Sequence, residues 1–304
     1  AELGKDMQLG ASLYFNQVNK AGGVHGRRIV LKTLDDGYEP PRAVANTKKL
    51  LDEEKVFALF GYVGTPTSQA VLPIFTEARV PYVGAFTGAE LLRQPFNRYI
   101  FNVRASYFDE TEAIVQHLTA MSIDKIAVFY QNDAYGQAGL EGVVRALKKR
   151  NLEVAAKATV ERNTVDVKKA VAEMVKAQPQ AVVMISAYKS CAAFIKEMKA
   201  KRANPTFWNV SFVGSKALAK ELDREGRGVQ IWQVVRFPWD GSLPVVKESR
   251  RLLAEAGAEP GFGTLEGFIA AKVTVEGLRR AGRNLNHDGF IRAMETLDHY
   301  DGGG

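Results

Sequence analysis

Four histidines, His25, His117, His287 and His299, are the first side chains to test for metal chemistry, and their spacing fails the test. A zinc site gathers His, Cys or carboxylate ligands from short spacings or one helix face, and none of the four has an i,i+4 partner or a nearby second ligand. No metal is expected. The single cysteine, Cys191, sits among Ala192, Ala193 and Phe194 on a helical pattern, where it reads as a small buried apolar residue rather than a nucleophile. The acid pairs Asp35-Asp36 and Asp109-Glu110 are chain neighbours whose side chains point apart, which is poor geometry for paired acid and base work. Gly214-Ser215-Lys216 has the wrong order for a phosphate loop, and Gly61-Tyr62-Val63-Gly64 lacks the second close glycine of a dinucleotide turn. No strained Gly-x-Ser-x-Gly turn presents a serine. These exclusions point away from an enzyme and from any cofactor.

Binding residues are more legible. In an open parallel sheet a ligand lies beyond the carboxyl ends of the strands, which makes those positions the first candidates. After the apolar run Val56 to Gly61 comes Tyr62-Val63-Gly64-Thr65-Pro66-Thr67-Ser68, a hydroxyl-rich turn at a predicted helix start, where backbone amides and the positive dipole end attract a carboxylate. The alternative is that Thr65 or Thr67 only caps that helix. After Val80 to Gly84 comes Ala85-Phe86-Thr87, offering a carbonyl, an aromatic face and a hydroxyl. Further along, the corresponding places carry Asn132-Asp133-Ala134-Tyr135-Gly136, Ser186-Ala187-Tyr188 and Ser211-Phe212. Aromatic residues recur at three of these ends, and a tyrosine there supplies apolar area with one hydroxyl, as a cover over a ligand requires.

The elements that must position these residues follow an alternation of short β-branched runs with helix-period segments, which predicts an α/β fold with parallel sheets. Glu2 to Asn19 reads as a helix from Leu3, Met7, Ala11, Tyr14 and Val18; Arg28 to Thr33 reads as a strand; and Pro41 lies in the first turn of a helix ending near Glu54. From Lys125 four strand-helix units succeed one another to Leu222: strands Lys125 to Tyr130, Glu153 to Thr159, Ala181 to Ser186 and Phe207 to Phe212, each followed by a helix. After strand Gly228 to Arg236 the chain turns helical, with too few strands left for a sheet of its own. The predicted division is therefore residues 1–104 with 237–304 as a first lobe and 105–236 as a second, joined by crossovers that act as a hinge.

Composition sets the outer bounds. A chain of 304 residues, 46% hydrophobic and 25% charged, has enough apolar surface for two cores. Its apolar runs are far shorter than the ~20 residues of a membrane span. The net charge of +7 is spread along helices beside acidic residues, and the densest cluster, Lys148-Lys149-Arg150, suits a helix C-terminus; nucleic acid is not an expected partner.

Several segments stand in a telling order: Asn19-Lys20-Ala21-Gly22-Gly23-Val24-His25-Gly26-Arg27-Arg28 with the following Asp35-Asp36 and Pro41-Arg42-Ala43, then Gly61 to Ser68, Arg79-Val80-Pro81-Tyr82-Val83, Asn132 to Gly136 and Ser211-Phe212-Val213-Gly214. Taken together they resemble the Leu/Ile/Val-binding and related amide-binding proteins. The resemblance implies a two-lobed type I periplasmic-binding fold, export to the periplasm, monomeric action and delivery of a small carboxylate ligand to the membrane permease of an ABC importer. A ligand-sensing regulatory or receptor domain of the same fold is the alternative. By the resemblance, Thr65 receives the ligand carboxylate, Ala85 and Thr87 receive its α-amine, and Tyr135 and Tyr188 cover it; Phe86 is added for its place between two of these. The resemblance further implies a strand and a small-residue loop before the first helix and strands after the last one, segments expected to lie outside residues 1–304.

One departure bears on the ligand. Amino-acid-binding members carry an acid near the position of Ser211, whereas Val210-Ser211-Phe212-Val213-Gly214 has none, and an ammonium buried without an acid is costly. Together with Phe86, Tyr135, Tyr188 and Phe212, this points toward an aromatic or branched organic acid beside the branched-chain amino acids.

Overall fold

The computed structural model describes residues 2–304. In chain order the elements are α1 (Glu2–Lys20), α2 (Pro40–Asp52), β1 (Leu59–Phe60), α3 (Thr65–Glu77), β2 (Tyr82–Val83), β3 (Ile100–Phe101), α4 (Tyr107–Ala120), β4 (Ile126–Gln131) and α5 (Ala134–Lys148). They continue with β5 (Lys157–Val160), α6 (Lys168–Ala177), β6 (Ala181–Ile185), α7 (Tyr188–Ala200), β7 (Thr206–Asn209), α8 (Ser215–Leu222), β8 (Val229–Ile231), α9 (Pro244–Glu255), α10 (Phe262–Ala281) and α11 (His287–Glu295). Every strand pairing is parallel, so the α/β expectation holds. Contacts divide the chain into a first unit of Ala1–Phe86, Leu91–Arg104 and Val235–Gly304, and a second of Thr87–Glu90 and Ala105–Val234.

The first unit holds a sheet of order β1-β2-β3. Leu59 stands opposite Tyr82, and Tyr82 opposite Ile100. Helix α1 buries Tyr14 against Phe268 of α10, with ring centroids 5.1 Å apart edge to face. On the other side Phe75 of α3 stacks on Tyr82 at 4.4 Å. The predicted strand Arg28 to Thr33 does not form a ladder. A cavity of about 760 Å³, lined by Ile29 and Leu31 on one side and Leu59 and Phe60 on the other, separates that segment from β1. Without a neighbour within bonding reach an extended segment is not a strand; Val30 is left 73% exposed, and Ile29 bonds the Asn19 side chain instead, at 2.8 Å through both its N–H and its C=O.

The second unit holds five strands in the order β5-β4-β6-β7-β8. β4 (IAVFYQ) and β6 (AVVMI) are buried almost throughout, as central parallel strands covered on both faces must be. On one face Ala127, Phe129, Val182 and Met184 pack under α6, α7 and α8, and Phe129 stacks on Phe194 at 4.1 Å. Cys191 lies in this core, where burial pushes its thiol far up, away from any nucleophilic form. Helix α4 was not anticipated. Ser106 and Asp109 form its capping box, with the Asp109 amide donating to Ser106 Oγ at 3.0 Å and the Ser106 amide to Asp109 at 3.0 Å. The predicted strand Phe207 to Phe212 ends at Asn209, and Ser211–Val213 coil into a 3₁₀ turn.

Candidate functional site

In the first unit the ends of β1 and β2 stay together past the strands. Val63 bridges Phe86 in parallel, the Phe86 amide donates to the Tyr62 carbonyl at 2.7 Å, and the Gly64 amide to the Phe86 carbonyl at 3.1 Å. This coupling holds Thr65, Ala85 and Phe86 at adjacent strand ends. The N-cap of α3 is Gly64, so neither Thr65 nor Thr67 caps the helix. Only glycine fits there: φ is +100°, and a Cβ would sit 2.2 Å from the Tyr38 ring. Thr67 and Ser68 turn their hydroxyls back onto the Val63 and Gly64 carbonyls at 2.6 and 2.7 Å. Thr65 thus opens the first turn of a helix whose cap has no side-chain oxygen, the local arrangement that suits a bound anion. Ala85 is buried in the core with Tyr82 and Phe75. Phe86 is 3% exposed, and one of its faces carries the Arg104 guanidinium at 4.4 Å.

Two tyrosines, Tyr82 buried and Tyr62 half-buried, brace this turn. Tyr82 donates to Ser68 Oγ at 2.8 Å, and the Tyr62 and Thr47 hydroxyls are 2.7 Å apart. Burial raises the Tyr62 phenol to about 12, against a lowering by the Thr47 hydrogen bond, and holds the Tyr82 phenol well above its ordinary value. A phenol whose folded pKa exceeds its unfolded value stabilises the fold fully below pH 10, and that stabilisation is lost as the pH rises from 10 through about 12. Alkaline titration followed by phenolate absorbance should therefore show tyrosines that ionise only together with loss of the circular-dichroism signal. Ionisation of all ten near pH 10 in a folded protein would refute this.

In the second unit, three separate elements bring aromatic rings together. Tyr135 stands in the first turn of α5, whose N-cap Asp133 accepts from the Tyr135 and Gly136 amides at 3.0 and 3.4 Å. Its ring lies 4.5 Å from Phe212 and 5.5 Å from Tyr107, the first residue of α4. Thr87 donates to the Tyr107 hydroxyl at 3.2 Å, so this residue joins the cluster from a distant stretch of chain. Ser211 donates its amide to one Glu110 carboxylate oxygen and its hydroxyl to the other, each at 2.8 Å. Glu110 is 5% exposed and lies one turn beyond Tyr107 on α4. Of the expected residues, Thr87, Tyr135, Ser211 and Phe212 are therefore assembled here. Tyr188 stands half-buried at the start of α7, packed against the core under α6 and α7.

Three functional candidates escaped the sequence reading: Tyr107, Glu110 and Arg104. The acid missing between Val210 and Gly214 reaches Ser211 from 101 residues away. The other acid pair, Asp35-Asp36, serves a turn, accepting from the Gly37 and Tyr38 amides at 2.9 and 2.8 Å. No expected ligand residue lines the cavity of about 760 Å³ beside β1.

A sequence profile described as "Periplasmic binding protein" matches residues 1–304. A Leu/Ile/Val-binding protein homolog 7 from Brucella abortus is 27% identical over 314 aligned positions, covering 98% of this chain and 78% of that protein. An amino acid binding protein from Pseudomonas aeruginosa is 29% identical over 48% of this chain, an alignment that spans only 39% of its own length. Among solved structures, a possible leucine/isoleucine/valine-binding protein from Rhodopirellula baltica superposes with a TM-score of 0.96 at 34% identity, covering 100% of this chain and 84% of that one. The fold is shared with a branched-chain amino acid transporter protein from Thermus thermophilus with bound valine (TM-score 0.83, 17% identity, 96% and 78% covered). It is shared equally with a solute-binding protein from R. palustris in complex with benzoate (TM-score 0.83, 20% identity, 96% and 81% covered).

Proposed function

Because the chain belongs to the periplasmic binding protein family, whose members bind solutes rather than transform them, we propose that it is the substrate-binding component of an ABC importer. It takes up a small carboxylate-bearing ligand outside the cytoplasmic membrane and presents it to the membrane permease as a monomer. No described helix is long and apolar enough to cross a membrane, which fits a partner rather than a permease. The observation that carries this reading is the glycine-capped start of α3, where Thr65 and the first-turn amides form a seat for a carboxylate. Ala85, Phe86 and Thr87 border the ligand next, and Tyr135, Tyr188, Ser211 and Phe212 cover it. Valine and benzoate, the ligands named for two proteins of this fold, share only a carboxylate and an apolar body, which is the chemistry these residues offer.

A thermal-shift panel of small carboxylates tests the proposal, since a ligand that binds only the folded chain raises the melting temperature by mass action. In calorimetry Thr65→Ala should weaken the best ligand about tenfold, the size of one charge-assisted hydrogen bond, with the melting temperature of the unliganded protein nearly unchanged. If no carboxylate stabilises the protein, or if Thr65→Ala binds as tightly as the parent, the proposed site is wrong.

A further inference from the structure

Two extended backbone edges of the first unit line the cavity beside β1, and neither has a partner across it. Leu59 and Gly61 donate their amides to the Pro81 and Val83 carbonyls at 2.8 and 3.0 Å, toward β2. In an extended chain successive residues turn their N–H and C=O to opposite sides. Ala58 and Phe60 therefore turn theirs away from β2, to the cavity that both residues line. On the other wall Ile29 is held by Asn19, whereas residues 30–33 make no backbone hydrogen bond among the described residues. Backbone groups in such a place are costly unless a partner answers them.

The surroundings define what fits between these edges. Residues 29–33 and β1 are joined through α2, the helical crossover that connects strands of a parallel sheet, so the two edges run the same way. Ile29, Leu31 and Phe60 pack on one core, where the Phe15 ring of α1 lies 5.6 Å from that of Phe60; Leu59 packs on the other, with Ala43 and Leu50 of α2. Helices thus cover both faces, and an element between the edges is buried on both, which calls for a continuous apolar, β-branched run. The start of α1 meets the carboxyl end of β1: a Cβ at Gly61 would lie 3.4 Å from Met7, and one at Gly4 3.9 Å from Val63. A strand parallel to β1 would therefore end where α1 begins, within reach of a short strand-to-helix turn. A compact apolar solute would fill the volume but leave both edges unanswered.

From this geometry we infer that the cavity is a strand-acceptor site, and that its occupant is an extended apolar segment of the same polypeptide, entering ahead of α1 and joining β1 to residues 29–33 in one parallel sheet. With that strand in place, residues 29–33 form the edge strand that their alternation predicts, with Ile29 and Leu31 inward and Val30 outward.

Two extensions of the N-terminus test this. One carries about six valines and isoleucines, the length of an ordinary strand, on a short glycine-serine linker; the other has proline at alternate positions of that run, which removes the amides a ladder needs. The first should raise the melting temperature by at least about 5 °C and slow hydrogen exchange of the Phe60 amide at least about tenfold. The second should do neither. Equal shifts with both extensions, or none with the first, overturn the inference. Poor solubility of the extended protein does not block the test, because exchange in the parent decides as well: a Phe60 amide already as protected as that of Leu59 has a partner, and no acceptor site exists. Protection of Phe60 by the same peptide free in solution, but not by the joined extension, assigns the site to another chain and overturns the proposal too.

Discussion

Arg104→Ala should destabilise the protein by about 3–5 kcal/mol, seen as a lower urea midpoint with an unchanged slope. The guanidinium bonds Glu266 bidentately, Nε to Oε1 at 2.8 Å and Nη2 to Oε2 at 3.0 Å, and the two side chains are 1% and 6% exposed. Burial pushes the Glu266 carboxyl above its ordinary value of 4.5, and Arg104 opposes that rise. Removing the arginine leaves a buried acid with its main compensation gone, and the cost of that exceeds the modest net worth of the pair. The direction of the shift supplies a second readout. A carboxyl whose folded pKa is raised takes up a proton on folding, so its unfavourable contribution is present above the folded pKa and fades as the pH falls toward 4.5. The deficit of Arg104→Ala should therefore shrink on acidification. Replacing both partners, with Arg104→Met and Glu266→Leu together, should recover most of the loss, since the pair itself stabilises little over apolar groups of similar volume. Ligand binding separates a further role, because the guanidinium also covers Phe86 at 4.4 Å and Arg93 Nη2 donates to the Arg104 carbonyl at 2.6 Å. The double variant should fold yet bind ligand more weakly, as Phe86 loses the cation that fixes its ring. A single Arg104→Ala variant as stable as the parent at neutral pH would show that the pair has no such role.

The helices were legible because their apolar period is local. Glu2 to Asn19 forms Glu2–Lys20, and the helix of the fourth strand-helix unit ends at Leu222 as its spacing predicts. Strands depend on partners, which a single segment does not reveal: Val56 to Gly61 shrank to Leu59–Phe60, and Arg28 to Thr33, apolar and alternating, forms none. Helix α4 is absent from the sequence reading, where Asp109 and Glu110 count only as neighbouring acids, although Ser106 and Asp109 at the spacing of a capping box are a signal within reach. The contacts that matter most for the ligand carry no such local signature. Glu110 meets Ser211 across 101 residues and Arg104 meets Glu266 across 162, so the charge of each place becomes visible only once the sheets have folded. Strand-end motifs therefore indicate where a ligand contacts the chain, whereas its charge requirements are set by helices that arrive from elsewhere.

Gly136→Ala should lower stability by about 3 kcal/mol and weaken ligand binding with it, although alanine is the better helix former. Two effects oppose each other at this position in the first turn of α5. Relative to glycine, alanine ordinarily stabilises a helix by about 0.5–1 kcal/mol through a smaller loss of backbone freedom. Here, however, a Cβ would lie 1.7 Å from the Gln131 carbonyl oxygen and 2.8 Å from the Gln131 nitrogen. Those atoms are backbone at the end of β4, a central strand bonded on both sides, so they cannot swing aside as a side chain would. The helix start must move instead. That displacement breaks the cap, in which Asp133 accepts from the Tyr135 and Gly136 amides, and carries the Tyr135 ring away from Phe212 and Tyr107. Gly4→Ala in α1 provides the control, since its Cβ would meet only a Val63 methyl at 3.9 Å, an ordinary contact. That variant should be unchanged or more stable by about 0.5–1 kcal/mol. Urea denaturation of the two variants beside the parent, with calorimetry on the preferred ligand, decides the matter. If Gly136→Ala gains stability as Gly4→Ala does and binds as the parent does, the turn that places Tyr135 is not held by this close approach.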